Sequence, residues 1–288
     1  MIVVTAVLTL GGITFLLATA LILANRKLHV EEDFRIDEVE AMLPHTNCGA
    51  CGYPGCRPFA EALVSGAALP SQCSVSNAQG RETIADYLGV AVGEQTRMVA
   101  RLACAGGSNV ARNRAHYQGN PSCLAAAQVA GGGKGCHWGC LGFGDCERVC
   151  DFNAIAMNAH GLPVVDSDQC TACGDCVEIC PKDLFSLQPV NSHLWVACKN
   201  QERGDEVLAE CEVACTACER CAFDAPAGLI RMQDNLPVID YSRRQDTRVP
   251  IERCPTGAIV WIDEREGVIK GAASRKVLRH SALPEAPS

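Results

Sequence analysis

The sequence "CTACGDCVEICP", residues 170–181, contains four cysteines in the spacing C-x2-C-x2-C-x3-C, and a proline follows the last of them. This spacing supplies thiolate ligands to [4Fe–4S] clusters in small bacterial electron carriers. It is the most specific signal in the chain. The stretch therefore predicts an iron–sulfur module, from which the remaining cysteines can be assigned outward along the sequence.

The run at 170–181 needs partner cysteines upstream, because in two-cluster ferredoxins the fourth cysteine of each run ligates the other cluster. The upstream stretch "CHWGCLGFGDCERVC", residues 136–150, has an irregular spacing, with Phe143 where a middle ligand is expected. We expect Cys136 to fill that vacancy. The two predicted [4Fe–4S] ligand sets are Cys150, Cys170, Cys173 and Cys176, and Cys136, Cys140, Cys146 and Cys180.

A second copy of this module follows in the chain. The segment "GLPVVD" (161–166) recurs as "NLPVID" (235–240). One ligand set is retained at matching positions: Cys215, Cys218, Cys221 and Cys254. The other set is replaced by Ala225, Arg244, Thr247 and Pro250. Because all four ligands of one cluster are absent together, we expect a ferredoxin-like module with one [4Fe–4S] cluster. Its lost site holds either Arg244 or apolar side chains.

An earlier cysteine group, "NCGACGYPGC…QC", forms a fourth predicted site. Its ligands are Cys48, Cys51, Cys56 and Cys73, spaced x2, x4 and x16. Gly49, Gly52 and Gly55 give a tight loop, and the short helix that follows returns the chain toward the fourth ligand. Four thiolates suit either zinc or a [4Fe–4S] cluster, but structural zinc sites usually pair ligands about two to four residues apart, and the second pair here is not so spaced. The pattern favours iron–sulfur.

The bulk composition agrees with metal clusters as a source of stability. The chain has 288 residues, of which 20 are cysteine and 5% aromatic, so apolar burial is limited and cluster binding can supply folding free energy. The net charge of −8 argues against nucleic acid as a partner. Four cysteines have no assigned site: Cys104, Cys123, Cys198 and Cys211. We interpret these as small buried side chains, although Cys211 matches Cys136 in the repeat and is an alternative ligand.

Residues 2–24 contain no charged side chain and as a helix span roughly 35 Å, enough to cross a bilayer. Arg26 and Lys27 follow directly, so the positive-inside tendency places the rest of the chain in the cytoplasm. The alternative, a cleaved signal peptide, lacks a basic start and has too long an apolar run. Cytoplasmic thiols stay reduced, which favours metal ligation over disulfides.

The sequence thus predicts an α+β protein with a single N-terminal transmembrane helix, a small mostly helical 4Fe-4S domain and tandem bacterial-type ferredoxin-like modules. The predicted order is a transmembrane anchor at 1–27, a juxtamembrane linker at 28–47, a 4Fe-4S domain at 48–90, a connecting segment at 91–135, a two-cluster ferredoxin module at 136–190, a second module with one cluster lost at 191–262, and a flexible tail at 263–288.

No nucleophile–base pair, phosphate loop or nucleotide-binding motif stands out, so we expect no substrate chemistry of the chain's own. The anchor together with "CGACGYPGC", "CLGFGDC" and "CTACGDCVEICP" resembles the B subunit of the Rnf electron-transport complex, over about residues 1–262. The resemblance implies a membrane-anchored relay with four [4Fe–4S] clusters, in a complex that transfers electrons between NADH and ferredoxin coupled to Na⁺ or H⁺ movement. It also implies other complex subunits, soluble ferredoxin or flavodoxin, and membrane lipid as partners, at the inner (cytoplasmic) membrane. A relay that serves another redox acceptor without ion pumping is the alternative.

Overall fold

The computed structural model describes residues 2–28, 33–263 and 265–283 and confirms the predicted α+β class. The α-helices are α1 (Ile2–Leu28), α2 (Phe34–Met42), α3 (Cys56–Val64), α4 (Ala78–Leu88), α5 (Cys123–Gln128), α6 (Asp145–Arg148), α7 (Asp175–Glu178), α8 (Arg220–Asp224) and α9 (Val249–Glu252). The strands are β1 (Met98–Leu102), β2 (Ile155–Met157), β3 (Pro163–Val165), β4 (Phe185–Pro189), β5 (Leu194–Val196), β6 (Ile230–Gln233), β7 (Leu236–Ile239), β8 (Ile259–Asp263) and β9 (Gly267–Ile269). Short 3-10 helices cover Pro70–Gln72, Ala130–Gly132 and Asp205–Ala209.

The first helix, α1, is the predicted anchor. Its segment Val7–Lys27 has a mean hydropathy of 2.3, and none of that segment is buried against the rest of the chain. Arg26 and Lys27 lie in its last turn. The helix is long and apolar enough to cross a membrane. A lipid bilayer would cover its apolar side chains, which are costly to leave in water.

The small helical domain begins earlier than predicted. Helix α2 falls within the segment 28–47, which the sequence pattern assigned to a linker, but Val39 is fully buried against Phe59 and Leu63 of α3. The apolar face of α2 therefore belongs to this domain's core, which also takes in Ile84 of α4. The part of the predicted linker at 29–32 lies outside the described residues.

The first ferredoxin module consists of the hairpin β2–β3, the short helices α6 and α7, and the antiparallel pair β1–β4. In that pair Ala100 lies opposite Leu187. The predicted module boundary at residue 136 is therefore wrong, because β1 lies in the segment 91–135 that was assigned to a connector. Strand β1 supplies the backbone partner that β4 would otherwise lack.

The second module repeats this arrangement. The hairpin β6–β7 and the helices α8 and α9 match the first module, and β5 pairs with β8 as β1 pairs with β4. The prediction that residues 263–288 form a flexible tail is wrong for the residues of this segment that the structure describes. Strand β9 extends the β5–β8 sheet, and Arg279 Nη1 donates to the carbonyl oxygen of Asn109 at 2.8 Å. Residues 264 and 284–288 lie outside the described residues.

Apolar side chains fill the lost cluster site of the second module. In the first module the corresponding cavity is lined by Ala100, Ala154 and Leu187. The matching positions are Leu229, by the register of the repeat, and the opposed pair Leu194–Trp261 of β5–β8, which corresponds to Ala100–Leu187 of β1–β4. All three residues are buried in one core and are larger than their counterparts. Arg244 instead keeps 89% of its side chain exposed beside Asp246. Of the two predicted fillings, the apolar one is therefore confirmed.

Truncating this filling should weaken the second module. Leu194 has no exposed surface, so Leu194→Ala leaves a cavity and is expected to lower the free energy of unfolding by about 2–5 kcal/mol. The measurement is the urea midpoint of the full chain in detergent, followed by circular dichroism. Val164→Ala is the control, because Val164 of β3 is 55% exposed. It should change the free energy of unfolding by less than about 0.5 kcal/mol. Equal effects from the two variants would contradict this packing.

Candidate iron–sulfur sites

Site 1 comprises Cys48, Cys51, Cys56 and Cys73, as predicted from the sequence. Cys56 and Cys73 are buried in one core, and Cys51 packs against it. The N–H of Cys56 donates to the Asn47 side-chain oxygen at 2.8 Å, which closes the loop where α3 begins. The Ser76 hydroxyl donates to Cys73 Sγ at 3.2 Å, so this sulfur is positioned by a hydrogen bond.

Site 2 is a cavity of the first module that brings together the four predicted cysteines Cys150, Cys170, Cys173 and Cys176. The N–H of Ala100 points at Cys170 Sγ, with 3.5 Å between nitrogen and sulfur. Thr171 also lines the cavity, and its buried hydroxyl oxygen has no hydrogen-bond partner among the described residues. A buried hydroxyl without a partner is costly, so this site suits a guest that accepts hydrogen bonds.

Site 3, the other cavity of the first module, differs from the prediction at one ligand. Its cysteines are Cys123, Cys140, Cys146 and Cys180. Cys136, which we expected here, lines a different cavity. Cys123 of α5 therefore takes the ligand position at which the usual spacing has a cysteine and this chain has Phe143. The sequence pattern had left Cys123 unassigned.

Asp145 explains how Cys123 reaches site 3. Asp145 lies next to Cys146 and is 7% exposed, and its Oδ2 accepts hydrogen bonds from the Ser122 hydroxyl at 2.9 Å and the Leu124 N–H at 3.1 Å. These two donors flank Cys123 in sequence. Burial alone would raise the pKa of Asp145, but the hydrogen bonds, together with the Arg148 charge, lower it overall. The carboxylate therefore stays ionised and ties the α5 segment to α6.

Site 4 belongs to the second module and contains the four predicted cysteines Cys215, Cys218, Cys221 and Cys254. Cys254 thus lies with the cysteines of the upstream run, as the ligand-exchange pattern requires. Its sulfur lies 3.8 Å from the Thr256 hydroxyl oxygen. Cys218 is exposed, whereas the other nineteen cysteines are buried or half-buried.

A further cavity lies between the two modules, and we name it the interdomain cavity. It is lined by four cysteines: Cys104, Cys136, Cys198 and Cys211. Three of these were interpreted as small buried side chains, and one was assigned to site 3. The structure therefore gathers all twenty cysteines into five groups of four.

The four cavities have matching volumes of about 20 Å³ each. Within the described ranges, no three His, Cys, Asp or Glu side chains are arranged to hold one metal ion. A single zinc ion needs its ligands within about 2.3 Å, whereas a four-iron cluster separates them. The donor chemistry and the spacing therefore fit a [4Fe–4S] cluster at each site.

Burial controls the acidity of these thiols. It raises the pKa to about 12 for Cys140, Cys146, Cys176, Cys198, Cys211 and Cys221. It raises the pKa to about 11 for Cys173 and Cys215. Without iron these thiols stay protonated at neutral pH, so ligation must displace their protons.

The five groups follow one another through the fold. Ala50 of the site 1 loop faces Cys170 of site 2 across a cleft. Helix α6 carries Cys146 of site 3 and ends two residues before Cys150 of site 2, and α7 carries Cys176 of site 2 and ends two residues before Cys180 of site 3. The Cys140 N–H of site 3 donates to Cys104 Sγ at 3.4 Å, and the Cys215 N–H of site 4 donates to Cys198 Sγ at 3.3 Å. The interdomain cavity therefore lies between sites 3 and 4 and touches both.

Two family models for iron–sulfur proteins match segments of the chain. A family model for an Fe–S cluster matches residues 43–75, which contain site 1. A model for a 4Fe-4S dicluster domain matches residues 136–184, which contain site 2 and most of site 3.

The B subunit of the Na⁺-translocating ferredoxin:NAD⁺ oxidoreductase complex of Acetobacterium woodii is 37% identical to the chain over 250 residues, covering 87% of this chain and 75% of the relative. The proton-translocating counterpart of Clostridium ljungdahlii is 37% identical over 261 residues, 90% of this chain and 91% of the relative. The chain belongs to the B-subunit family of ion-translocating oxidoreductase complexes. Another member, from Methanosarcina acetivorans, is 32% identical over 256 residues, 89% of this chain and 97% of the relative.

The resemblance to the Rnf B subunit is thereby confirmed, and the chain is an electron-transfer subunit of the oxidoreductase type. The relatives are named for both Na⁺ and H⁺, so similarity alone leaves the coupling ion open.

One signal in the sequence could have revealed that Cys104 and Cys198 occupy equivalent positions of the repeat. Leu102-Ala103-Cys104 and Val196-Ala197-Cys198 end matching strands of the repeat.

A double substitution can test the membership of Cys123 in site 3. We expect Cys123→Ala and Cys146→Ala each to remove up to about four irons per chain, because each opens the same cluster. The double variant should lose no more than about four, since removal of one shared cluster is not additive. Iron and sulfide analysis of the purified chain measures this. Summed losses would place the two cysteines in separate sites.

Proposed function

We propose that this protein is a membrane-anchored electron relay that holds [4Fe–4S] clusters at sites 1 to 4. The relay would pass electrons between ferredoxin and the membrane part of an ion-translocating NADH:ferredoxin oxidoreductase complex. The observation that carries the proposal is the continuous row of four-cysteine groups that follows a membrane-length helix. A bound [4Fe–4S] cluster supplies a centre that gains and loses one electron.

The chain's own residues hold, insulate and tune these centres. Cysteine thiolates ligate the iron, and the apolar side chains of buried Ile155 and half-buried Leu187 exclude water around site 2. The N–H groups of Ala100 and Leu184 donate to Cys170 Sγ and Cys180 Sγ, at 3.5 and 3.4 Å. Hydrogen bonds to ligand sulfurs and solvent exposure are the means by which a protein sets cluster potential.

Site 4, the last group of the row, has an exposed cysteine and therefore suits exchange with a soluble partner. Exposed Cys218 lies there, and Phe223 of the adjacent helix α8 is 84% exposed. An exposed ligand thiolate and an apolar side chain together allow close approach of a small carrier such as ferredoxin or flavodoxin.

We further propose that the cluster domains face the cytoplasm. Arg26 and Lys27 end the membrane-length helix, and basic residues at a helix end favour the cytoplasmic side. One helix cannot form an ion path, so ion movement belongs to other subunits of the complex. The lipid contact of this chain is then made by the exposed apolar surface of α1.

Substitution of one site 2 ligand in the intact complex tests the relay function. Cys176→Ala is expected to abolish ferredoxin-dependent NAD⁺ reduction by the complex purified from membranes, because site 2 lies inside the row. The set of subunits should stay unchanged by gel and mass spectrometry. Val164→Ala, on the exposed face of the same module, is the control and should keep the rate.

Two results would contradict the relay proposal. One is an undiminished rate for Cys176→Ala in a complex that has lost the site 2 cluster. The other is an isolated full-length chain that carries zinc and almost no iron. The alternative, a relay without ion pumping, would be favoured if the chain purified without multi-spanning subunits.

A further inference from the structure

We propose that the interdomain cavity binds a fifth [4Fe–4S] cluster through its four cysteine thiolates. The inference goes beyond the four predicted sites, and the existence of the cluster stands on the cavity's own geometry. Its role as the link between the two modules rests on the proposed relay function.

The four cysteines form two matched pairs, one from each module. Cys104 and Cys198 each lie two residues after the first strand of their module. Cys136 and Cys211 each lie four residues before the first cysteine of their module's ligand run. Equivalent positions of a duplicated module thus meet around one cavity, and scattered buried cysteines would not be expected to pair in this way.

Backbone contacts hold these pairs together. The Ala105 N–H donates to the carbonyl oxygen of Ala197 at 3.0 Å, which joins the residues beside Cys104 and Cys198. The bridge between Ala111 and Cys211 adds a second connection. Gly106 leaves the space around the sulfurs free, because a Cβ there would lie 3.1 Å from Cys211 Sγ.

A buried donor inside the cavity lacks a partner. Asn200 is 2% exposed and lines the cavity, and its side-chain nitrogen Nδ2 has no hydrogen-bond partner among the described residues. Its Oδ1 accepts from the Glu202 N–H, at 3.3 Å, which fixes the orientation of the amide. An unpaired buried N–H is unfavourable, so the site is matched to a guest that accepts hydrogen bonds, as cluster sulfides do.

The electrostatic surroundings also suit a thiolate-bound cluster. The Cys198 sulfur accepts from two backbone N–H groups, those of Asn200 at 3.4 Å and Cys215 at 3.3 Å. Lys134 lines the cavity, and its ammonium donates to the carbonyl oxygens of Gly106 at 2.5 Å and Cys140 at 2.7 Å. A fixed cation beside four thiolates offsets part of their mutual repulsion.

Variants from each side of the cavity test the proposal, with the full chain purified anaerobically in detergent. The unsubstituted chain should carry about 20 irons, four for each of five clusters. Cys104→Ala/Cys136→Ala and Cys198→Ala/Cys211→Ala should each carry about 16. The quadruple variant should also carry about 16, because both pairs serve one cluster. Val213→Ala removes volume from the same cavity without removing a thiol and should keep about 20.

The unsubstituted chain provides a second measurement if the variants do not fold. Mössbauer spectra should assign all its iron to four-iron clusters, and zinc should be absent. A count near about 16, additive losses in the quadruple variant, or one zinc per chain would overturn the fifth site while leaving sites 1 to 4 in place. An iron count near zero would overturn the proposed relay as well.

Discussion

The fold depends on groups of four cysteine thiols that tertiary contacts bring together around small internal cavities. Each hydrophobic cluster of the cysteine-rich part includes ligand cysteines beside its aliphatic residues, as with Cys56 and Cys73 in the helical domain. Native interiors are close-packed and leave few voids larger than a water molecule. The cavities at sites 2 to 4 and between the modules measure about 20 Å³ each, and each is lined by four cysteines. We therefore expect cluster binding and core formation to be coupled in this chain, as in small metalloproteins.

Duplication of one module gave two different outcomes for equivalent space. At site 2 the alanines Ala100 and Ala154 leave room for a cluster, whereas at the matching positions Leu194 and Leu229 fill it. The second module thus has an apolar core at the place where the first module has the four cysteines of site 2. The surface where the two copies meet gained a shared cavity, to which each copy contributes an equivalent pair of cysteines. The interdomain cavity lies between site 3 and site 4, because hydrogen bonds connect its Cys104 to Cys140 of site 3 and its Cys198 to Cys215 of site 4.

The sequence was most informative where ligands are close together along the chain. Sites 2 and 4 follow from the spacing of their runs and from the exchange of the fourth cysteine, and the structure gathers those cysteines as predicted. Cys123 could not be assigned by spacing, because a long-range contact through Asp145 brings it to site 3, and the second module has no equivalent of it. The boundaries at α2 and β1 were missed for a related reason. Their partners, α3 and β4, are tertiary contacts that no local pattern specifies.

We propose that all twenty cysteines of the chain ligate five clusters arranged in a row. The most direct measurement is an anomalous difference map of the full-length protein, collected at the iron absorption edge. Five compact iron peaks are predicted, one at each cysteine group, with the fourth lying between sites 3 and 4. A map with no iron between the modules, or with peaks only at a zinc edge, would contradict the claim.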